Sequence, residues 1–362
     1  MRILALYPAF DVRINEMAMA WRQFCNQPGN SCFVFAGARD VLKGHRSADM
    51  IEESGSLTVH RTAALQATDE NLAVARSFRP DLIYCAVTEN LRFARAIRRS
   101  TGAPLVLHTE FFLDDLTFLR RRYHGGVPPM RRIAGAVGRA VLHRMCDRII
   151  VSNPAEQRLP AWSAFPKLRY LPWPHPGPGT AFVPGGVERD FSAHIGSFSR
   201  GKGARTLGEF YGALLEAMPA FRIQLIGPAI DEEGAMMLAG LQRRFGDRVQ
   251  VSSGCPRDQA MAILGRSLFV FSPAARYGWG LIGDAWGVGT AVISRVEHYD
   301  LKDGANCLVA PDVATFERSV RALAEDPGAR ERITTGGRAT VAAHAPDAVA
   351  ATLGAILNDV LR

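Results

Sequence analysis

The sequence predicts an α/β protein with two mainly parallel sheets, each in a domain of its own. With 362 residues, the chain exceeds the ~250 to 300 residues at which a single hydrophobic core stops growing, so two domains are expected. Short β-branched apolar runs alternate with amphipathic stretches along the whole chain, as in βαβ units. The proline-rich segment Leu171–Thr180 separates two similar sets of these runs.

Twelve apolar runs are predicted to be strands. Those of the first half are Ile3–Tyr7, Cys32–Ala36, Leu57–His60, Asp81–Ala86, Pro104–His108 and Arg148–Ser152. Those of the second half are Phe191–Ile195, Phe221–Ile226, Val249–Ser252, Leu268–Ser272, Ala291–Ser294 and Cys307–Val309. The last segment, Ala348–Arg362, is predicted to be a helix because its apolar residues recur with helical spacing. Repeated proline after Leu171 blocks helix and central strand, which predicts domains over residues 1–172 and 187–340.

Composition and charge narrow the class of protein and of partner. The 48% hydrophobic and 22% charged residues are those of an ordinary globular chain. Six scattered cysteines without a C-x-x-C pair predict buried free thiols and argue against a zinc site. The first apolar run is short for a signal peptide, so we expect a cytoplasmic protein. A net charge of +8 favours an anionic partner, which could be a nucleotide, a phospholipid surface or a nucleic acid.

The turn Gly196–Gly203 is the strongest candidate for binding phosphate. It joins the predicted strand Phe191–Ile195 to an amphipathic stretch, so that backbone N–H groups and a helix end would point at one place. The alternative is an ordinary turn with a solvated Lys202. The P-loop pattern fails at Gly203, which supplies no hydroxyl for Mg²⁺.

A second glycine pattern, Gly278-x-Gly280-x-x-Gly283, matches a dinucleotide-binding fingerprint only superficially. In that fingerprint the glycines follow the strand directly, whereas here the segment Pro273–Tyr277 intervenes. We therefore do not interpret it as a dinucleotide site.

Taken together, the second half resembles the retaining GT-B glycosyltransferases of family 4. Four segments are similar to that family's G-R-x-x-x-x-K-G phosphate loop, the next strand ending in glycine, the E-G-F-G-L…E-A-M-A-x-G-T element and the D-G-x-N-G-x-L-V turn. They are Ile195–Gly203, Ile223–Pro228, Gly278–Thr290 and Asp303–Val309. Three first-half segments are more loosely similar to the family's landmarks: Arg79–Ile83, Val106–Thr109 and Cys146–Ser152.

The resemblance implies two Rossmann-like domains facing a central cleft, with a C-terminal helix over residues 341–362 crossing back to the first domain. It implies a nucleotide-diphosphate sugar as co-substrate, no further cofactor, no metal and retention at the anomeric carbon. Lys202 matches the lysine that neutralises the donor diphosphate, and Asp284 matches the second glutamate of the E-x7-E element, which bonds the ribose. His108 matches a histidine near the transferred sugar, although a histidine at a strand end can equally bond the backbone.

The remaining donor-site residues follow from the same resemblance, and the acceptor-side candidates from their places after strands. Those expected to bind the donor are Gly196, Ser197, Arg200, Gly203, Gly227, Tyr277, Gly278, Trp279, Gly280 and Leu281. The acceptor-side candidates follow two first-domain strands and are Asp11, Arg13, Asn15 and Glu110. Glu110 could contact acceptor hydroxyls, act as a base, or lie in a solvated loop.

The chain departs from the family's pattern where the donor should be held. Ser197 replaces the loop arginine, with Arg200 and Arg205 as the nearest substitutes. Alignment on the glycines puts Tyr277 at the first glutamate, while counting back from the second puts Arg276 there. These changes leave the identity of the donor open.

The stretch Arg120–Arg148 is densely basic and contains a helix-like pattern. Its apolar residues on one side are Ile133, Val137, Val141 and Leu142. Such a helix can dock on an anionic membrane or pack normally on its own domain. Nucleic acid is disfavoured, since no interleaved aromatic platform is present.

We therefore expect a metal-independent, hexosyltransferase-like enzyme that transfers a sugar to a glycan or lipid-linked acceptor in surface-polysaccharide or glycolipid biosynthesis. It would be cytoplasmic or peripheral at the inner face of the plasma membrane. Two alternatives remain: a GT-B-fold protein that binds a sugar nucleotide or glycan without catalysis, and a sugar-nucleotide epimerase.

Overall fold

The α/β class with two sheets is confirmed by the computed structural model, whose contacts divide the chain into two compact units. The first unit contains Met1–Pro174 and His344–Arg362, and the second contains His175–Ala343. The residues that the structure describes are 1–8, 10, 16–37, 51–62, 65–109, 112–113, 129–177, 189–273, 279–298 and 300–362.

The first unit contains an eight-stranded sheet in the order β3-β4-β2-β1-β5-β6-β7-β8. Its strands are β1 (Arg2–Tyr7), β2 (Ser31–Gly37), β3 (Ile51–Ser54), β4 (Leu57–Thr62), β5 (Leu82–Ala86), β6 (Leu105–Thr109), β7 (Arg148–Val151) and β8 (Leu168–Tyr170). Its helices are α1 (Glu16–Cys25), α2 (Asp69–Phe78), α3 (Leu91–Thr101), α4 (Pro129–Met145) and, after the second unit, α11 (Pro346–Leu361).

Alternate residues of the first sheet face two separate apolar layers. Ile3 and Ala5 of β1 belong to the layer that contains α1 and α11. Leu4 and Leu6 belong to the layer that contains α3 and the start of β6. Because both faces are covered, the parallel strands are continuously apolar, as the sequence shows.

Two strands of this sheet were not predicted. β3 pairs with β4 in an antiparallel hairpin that places Ser54 opposite Leu57. The two-residue turn between them contains Gly55 in the left-handed conformation, with φ 60°, as such tight turns require. β8 has only three residues, which is too short to show a period in the sequence.

The second unit has a six-stranded sheet in the order β11-β10-β9-β12-β13-β14. Its strands are β9 (Phe191–Ile195), β10 (Arg222–Ile226), β11 (Val249–Ser252), β12 (Phe269–Ser272), β13 (Ala291–Ser294) and β14 (Leu308–Val309). Its helices are α5 (Ala204–Ala217), α6 (Glu232–Phe245), α7 (Arg257–Arg266), α8 (Trp279–Gly287), α9 (Val313–Glu325) and α10 (Pro327–Ala342). All twelve predicted strands are present, because each is a buried apolar run between turn residues.

A buried polar chain runs through the first unit beneath the ends of β1, β5 and β6. His108 is 4% exposed, its Nδ1 is hydrogen-bonded to the Tyr84 hydroxyl, and its Nε2 lies 2.7 Å from the Ser152 hydroxyl. The Tyr84 ring stacks on Tyr7, whose hydroxyl accepts a 2.7 Å hydrogen bond from the Trp21 indole. Burial lowers the pKa of His108 to about 3, so the imidazole is neutral at physiological pH.

The six cysteines are free thiols, five of them buried, as predicted. Among the described helices, no single one has the length and hydropathy of a membrane span. The consecutive helices α10 and α11 reach that length and composition only when they are taken together across the break between them.

Leu353 tests the contribution of α11 to the first core. It is fully buried in the cluster that includes Trp21 and Phe24, so Leu353→Ala should lower the free energy of unfolding by about 2 to 5 kcal/mol. Leu361 on the same helix is 43% exposed, and Leu361→Ala should change it by less than about 0.5 kcal/mol. Urea unfolding measures both, and equal effects would contradict the placement of α11.

His108 should make stability depend on pH. An unfolded histidine titrates near pH 6.5, whereas the native pKa of His108 is about 3, so the unfolded state binds an extra proton between these values. The free energy of unfolding should therefore fall with falling pH, with this residue contributing about 1.4 kcal/mol per pH unit. In His108→Gln, the free energy of unfolding measured with urea between about pH 4 and 6 should depend on pH less steeply by that amount. An equal pH dependence in the wild type and the variant would mean that His108 already accepts a proton in the native state over this pH range.

Candidate functional site

A pocket of about 320 Å³ opens at the carboxyl ends of β9 and β12 in the second unit. The chain runs outward from β9 through β10 to β11, then returns to the other side of β9 to form β12. The loops that follow the strands diverge at such a switch point, and open α/β sheets bind ligands there. The lining residues are His194, Ile195, Gly196, Ser197, Lys202, Ser272, Pro273, Gly280, Leu281 and Asp284. Six predicted site residues are thereby brought together: Gly196, Ser197, Lys202, Gly280, Leu281 and Asp284.

The turn after β9 is shaped by two glycines in close contact. Gly196 has φ 153° and Gly227 has φ 142°, conformations that other residues rarely adopt. A Cβ on Gly227 would lie 1.9 Å from the Gly196 carbonyl oxygen. The Gly196 N–H also donates to the Ile226 carbonyl at 2.9 Å. Gly227, predicted to bind the donor, therefore supports the turn from outside the pocket lining.

Lys202 and Ser197 form a polar pair on the pocket wall. The Lys202 ammonium donates a 2.6 Å hydrogen bond to the Ser197 hydroxyl. An ammonium only donates, so the hydroxyl keeps its own proton for a further acceptor. Partial burial lowers the pKa of Lys202 from its usual value. The pair presents one cation and one hydroxyl donor to a ligand.

The residues around Lys202 set its position. A short 3₁₀ turn, Arg200–Lys202, is capped by the Ser199 hydroxyl and ends at Gly203, whose φ is 80°. α5 begins directly afterwards, so Gly203 serves as the junction between turn and helix. Arg200 donates its backbone N–H to Asp231 at 2.8 Å. Its guanidinium lies 3.9 Å from Glu233 on α6, and Arg200 is not among the lining residues.

The amino end of α8 contributes Gly280 and Leu281 to the pocket lining. The first N–H groups of a helix have no partner within it and carry partial positive charge, which suits an anion. The Trp279 ring points elsewhere, packing edge-on against Trp286 at 6.0 Å and His175 at 6.3 Å between ring centroids. Trp279 was predicted to bind the donor, but its indole belongs to the core.

Asp284 lines the pocket but is already engaged by two side chains. The Arg257 guanidinium donates to both carboxylate oxygens, at 2.7 Å to Oδ1 and 3.2 Å to Oδ2. The His175 Nε2 lies 3.1 Å from Oδ1. Neither partner could be predicted from the sequence, since both lie far from Asp284 in the chain.

His194 and Ser272, at the ends of β9 and β12, also line the pocket and were interpreted only as strand residues. The His194 Nδ1 lies 3.2 Å from the Phe271 carbonyl oxygen, which only accepts, so Nδ1 carries the proton and Nε2 is an acceptor. Burial, aided by the charge of Lys202, lowers the pKa of His194 to about 4. The Ser272 hydroxyl lies 3.1 Å from His298 Nε2. Position at the carboxyl end of a strand was the available signal for both.

The remaining predicted residues belong to the first unit or fall outside the described part of the chain. His108 belongs to the first unit, where both of its ring nitrogens are bonded within the protein. Six residues fall outside the described part of the chain, namely Asp11, Arg13, Asn15, Glu110, Tyr277 and Gly278. Within the described residues, no group of three or more His, Cys, Asp or Glu side chains could hold a metal ion.

Comparison with known proteins yields similarity in structure only. No family model matches the sequence, and a search of curated proteins finds no match. Sucrose-phosphate synthase from Thermosynechococcus elongatus superposes with a TM-score of 0.73 at 17% identity, over 99% of both chains. Alr3699/HepE from Anabaena, in complex with UDP, gives 0.69 at 17% identity, over 99% of this chain and 100% of that one. α,α-Trehalose 6-phosphate synthase from Burkholderia multivorans gives 0.69 at 12% identity, over 99% and 98%.

These identities are too low to transfer an activity, but the likeness extends over almost the whole of each chain. The structures compared are glycosyltransferases of the GT-B fold, with two Rossmann-like domains. The protein has the GT-B fold.

Proposed function

We propose that this chain is a glycosyltransferase that binds a nucleotide-diphosphate sugar in the pocket of the second unit. The observation that carries the proposal is that Lys202, Ser197 and the amino end of α8, groups whose charge and donors suit an anion, line one pocket at the switch point. Some of the similar structures were determined with UDP or UDP-glucose, which supports the same ligand class. A nucleic acid plays no part in this proposal.

The proposed chemistry is departure of the nucleoside diphosphate from the sugar. Negative charge grows on the diphosphate as the bond to the anomeric carbon breaks. Lys202, the Ser197 hydroxyl and the N–H groups of α8 would stabilise it, so that the reaction as proposed needs no divalent cation. Retention and membership of family 4 are part of the proposal and rest on the resemblance of the two segments Ile195–Gly203 and Gly278–Thr290.

A second candidate is a protein that binds the nucleotide sugar without transferring it. Ser197 stands where the family has an arginine, so among the described residues that line the pocket Lys202 supplies the one full positive charge. Asp284 is largely occupied by Arg257 and His175. The missing arginine weakens stabilisation of a leaving group more than ground-state binding, because negative charge grows as the group departs, whereas the contacts of Asp284 only limit how many hydrogen bonds it can accept from a bound nucleotide.

The exposed face of α4 supports a lipid-linked acceptor at an anionic membrane surface. Val137 is 57% and Val141 46% exposed, whereas Leu142 and Met145 pack inward against the core. The helix has four arginines and no acidic residue. Exposed apolar side chains on a helix rich in arginine suit an anionic bilayer surface. We therefore propose that the protein acts at the cytoplasmic face of a membrane, in glycolipid or surface-polysaccharide synthesis.

Lys202→Ala tests the transfer reaction. Loss of a donor to the developing charge should lower kcat/KM by about 100-fold or more, while Lys302→Ala, on an exposed turn of the same unit, should leave it unchanged. The measurement is nucleoside diphosphate release from neutral, deoxy and acidic nucleotide sugars, with and without a crude acceptor extract. Tight binding without release in any mixture would favour the binder, and a changed sugar without acceptor would indicate an epimerase. No binding at all would overturn the proposal.

Cosedimentation with vesicles tests the α4 surface. Binding to phosphatidylglycerol vesicles should fall as salt rises, because exposed charges are screened over ~8 to 10 Å at moderate ionic strength. Val137→Glu combined with Val141→Glu should abolish it. Ile230→Glu, at a 60% exposed position of the second unit, is the matched control and should have no effect. Binding that ignores salt and the α4 changes would refute this docking surface.

A further inference from the structure

The carboxylate of Asp284 belongs to a closed ring of hydrogen bonds with the proline-rich segment. The Gly177 N–H donates to His175 Nδ1 at 3.1 Å. Because Nδ1 accepts, the ring proton lies on Nε2, which donates to Asp284 at 3.1 Å. Arg257 closes the ring by donating to Asp284 and, at 3.2 Å, to the Gly177 carbonyl. Both backbone polar groups of Gly177 are thus bound by side chains that also hold Asp284.

Two features show that the ring is built into the fold and is not a chance surface contact. The His175 side chain is 1% exposed and lies against Gly283, where a Cβ would approach the imidazole to 2.3 Å. Gly177 takes a φ of 77°, which glycine adopts without strain.

The position of Arg257 also indicates that the ring is built into the fold. It is the first residue of α7, where a positive charge opposes the helix dipole and destabilises the helix slightly. Its side chain is 53% exposed, so it gains little from burial. The two bonds to Asp284 and the one to Gly177 are what this arginine contributes.

The ring leaves the Asp284 carboxylate able to accept only one further hydrogen bond. A carboxylate offers about four acceptor positions; Arg257 occupies one on each oxygen and His175 a second on Oδ1. One position remains on Oδ2, on a side chain that lines the pocket. A single hydroxyl group of a ligand fits that capacity.

We infer that Arg257 and His175 are positioning residues that hold Asp284 for one ribose hydroxyl and couple the order of the segment His175–Gly177 to occupancy of the pocket. This inference rests on the proposed function, since it takes the ligand to be a nucleotide. It makes His175–Gly177, within the proline-rich segment, part of the binding machinery.

Calorimetric titration with paired nucleotides tests the positioning role. The probes are ADP, GDP, CDP and UDP, each beside its 2′,3′-dideoxy counterpart. For the best nucleotide, the wild type should prefer the ribose form by about tenfold or more, the value of one hydrogen bond to a charged group. Arg257→Gln and His175→Asn should reduce that preference to within about threefold, because the carboxylate is no longer held. Arg266→Gln, at the other end of α7, should keep it.

A merely structural role would lower the affinity for both members of a pair alike and leave their ratio intact. An intact ratio in Arg257→Gln and His175→Asn would therefore overturn the positioning role while the proposed function stands. A wild type that binds nucleotides without preferring the ribose form would instead remove the ribose contact, and with it this inference. A wild type that binds none of the nucleotides would overturn the proposed function itself.

Hydrogen exchange in the wild type tests the coupling without any variant. The Gly177 amide, bonded to His175, should exchange about tenfold more slowly when the best nucleotide saturates the pocket, because Asp284 then stabilises the ring. Arg257→Gln should lose this response. Unchanged exchange in the saturated wild type would overturn the coupling even if the variants failed to fold.

Discussion

The site depends on the pairing of β9 with β10 on one side and β12 on the other. Parallel strands require crossovers, and a reversal of strand order makes consecutive crossovers lie on opposite sides of the sheet. The loops that leave β9 and β12 therefore diverge and leave a crevice between them. Into it project the turn with Lys202, the start of α8 and the ends of the two strands. None of these groups would meet if the strands were ordered consecutively.

The parts of the fold and of the site that could be predicted are those whose signal lies within a short stretch of sequence. A buried parallel strand is a run of neighbouring apolar residues, so all twelve predicted strands were found. The hairpin strand β3 was missed because its sequence, Ile51–Ser54, is half acidic and lacks a clear alternation. The glycines and Lys202 were recognised because a phosphate-binding turn is compact in sequence. Which of them face the pocket required the structure: Gly196 lines it, whereas Gly227 lies behind it.

The partners of Asp284 could not be predicted, for a physical reason. A carboxylate in a partly enclosed pocket needs compensation by a cation or by hydrogen bonds. Nothing in the sequence says which of the chain's many arginines provides it. His175 lies in a stretch whose prolines indicate only a linker. Contacts between residues distant in sequence arise from tertiary packing, and their geometry decides whether Asp284 is an available acceptor or a compensated ion.

Gly283 limits how this site can vary among proteins of related sequence. Because a side chain there would overlap His175, a protein with a larger residue at that position must lose or move the imidazole. The glycine before the aspartate, the histidine in the proline-rich segment and the arginine that opens α7 should therefore be gained or lost as a set. That set, spread over about a hundred residues, would distinguish chains with the ring from those that share only the glycine-rich turn. It offers a structural criterion for grouping sequences too divergent to align by identity.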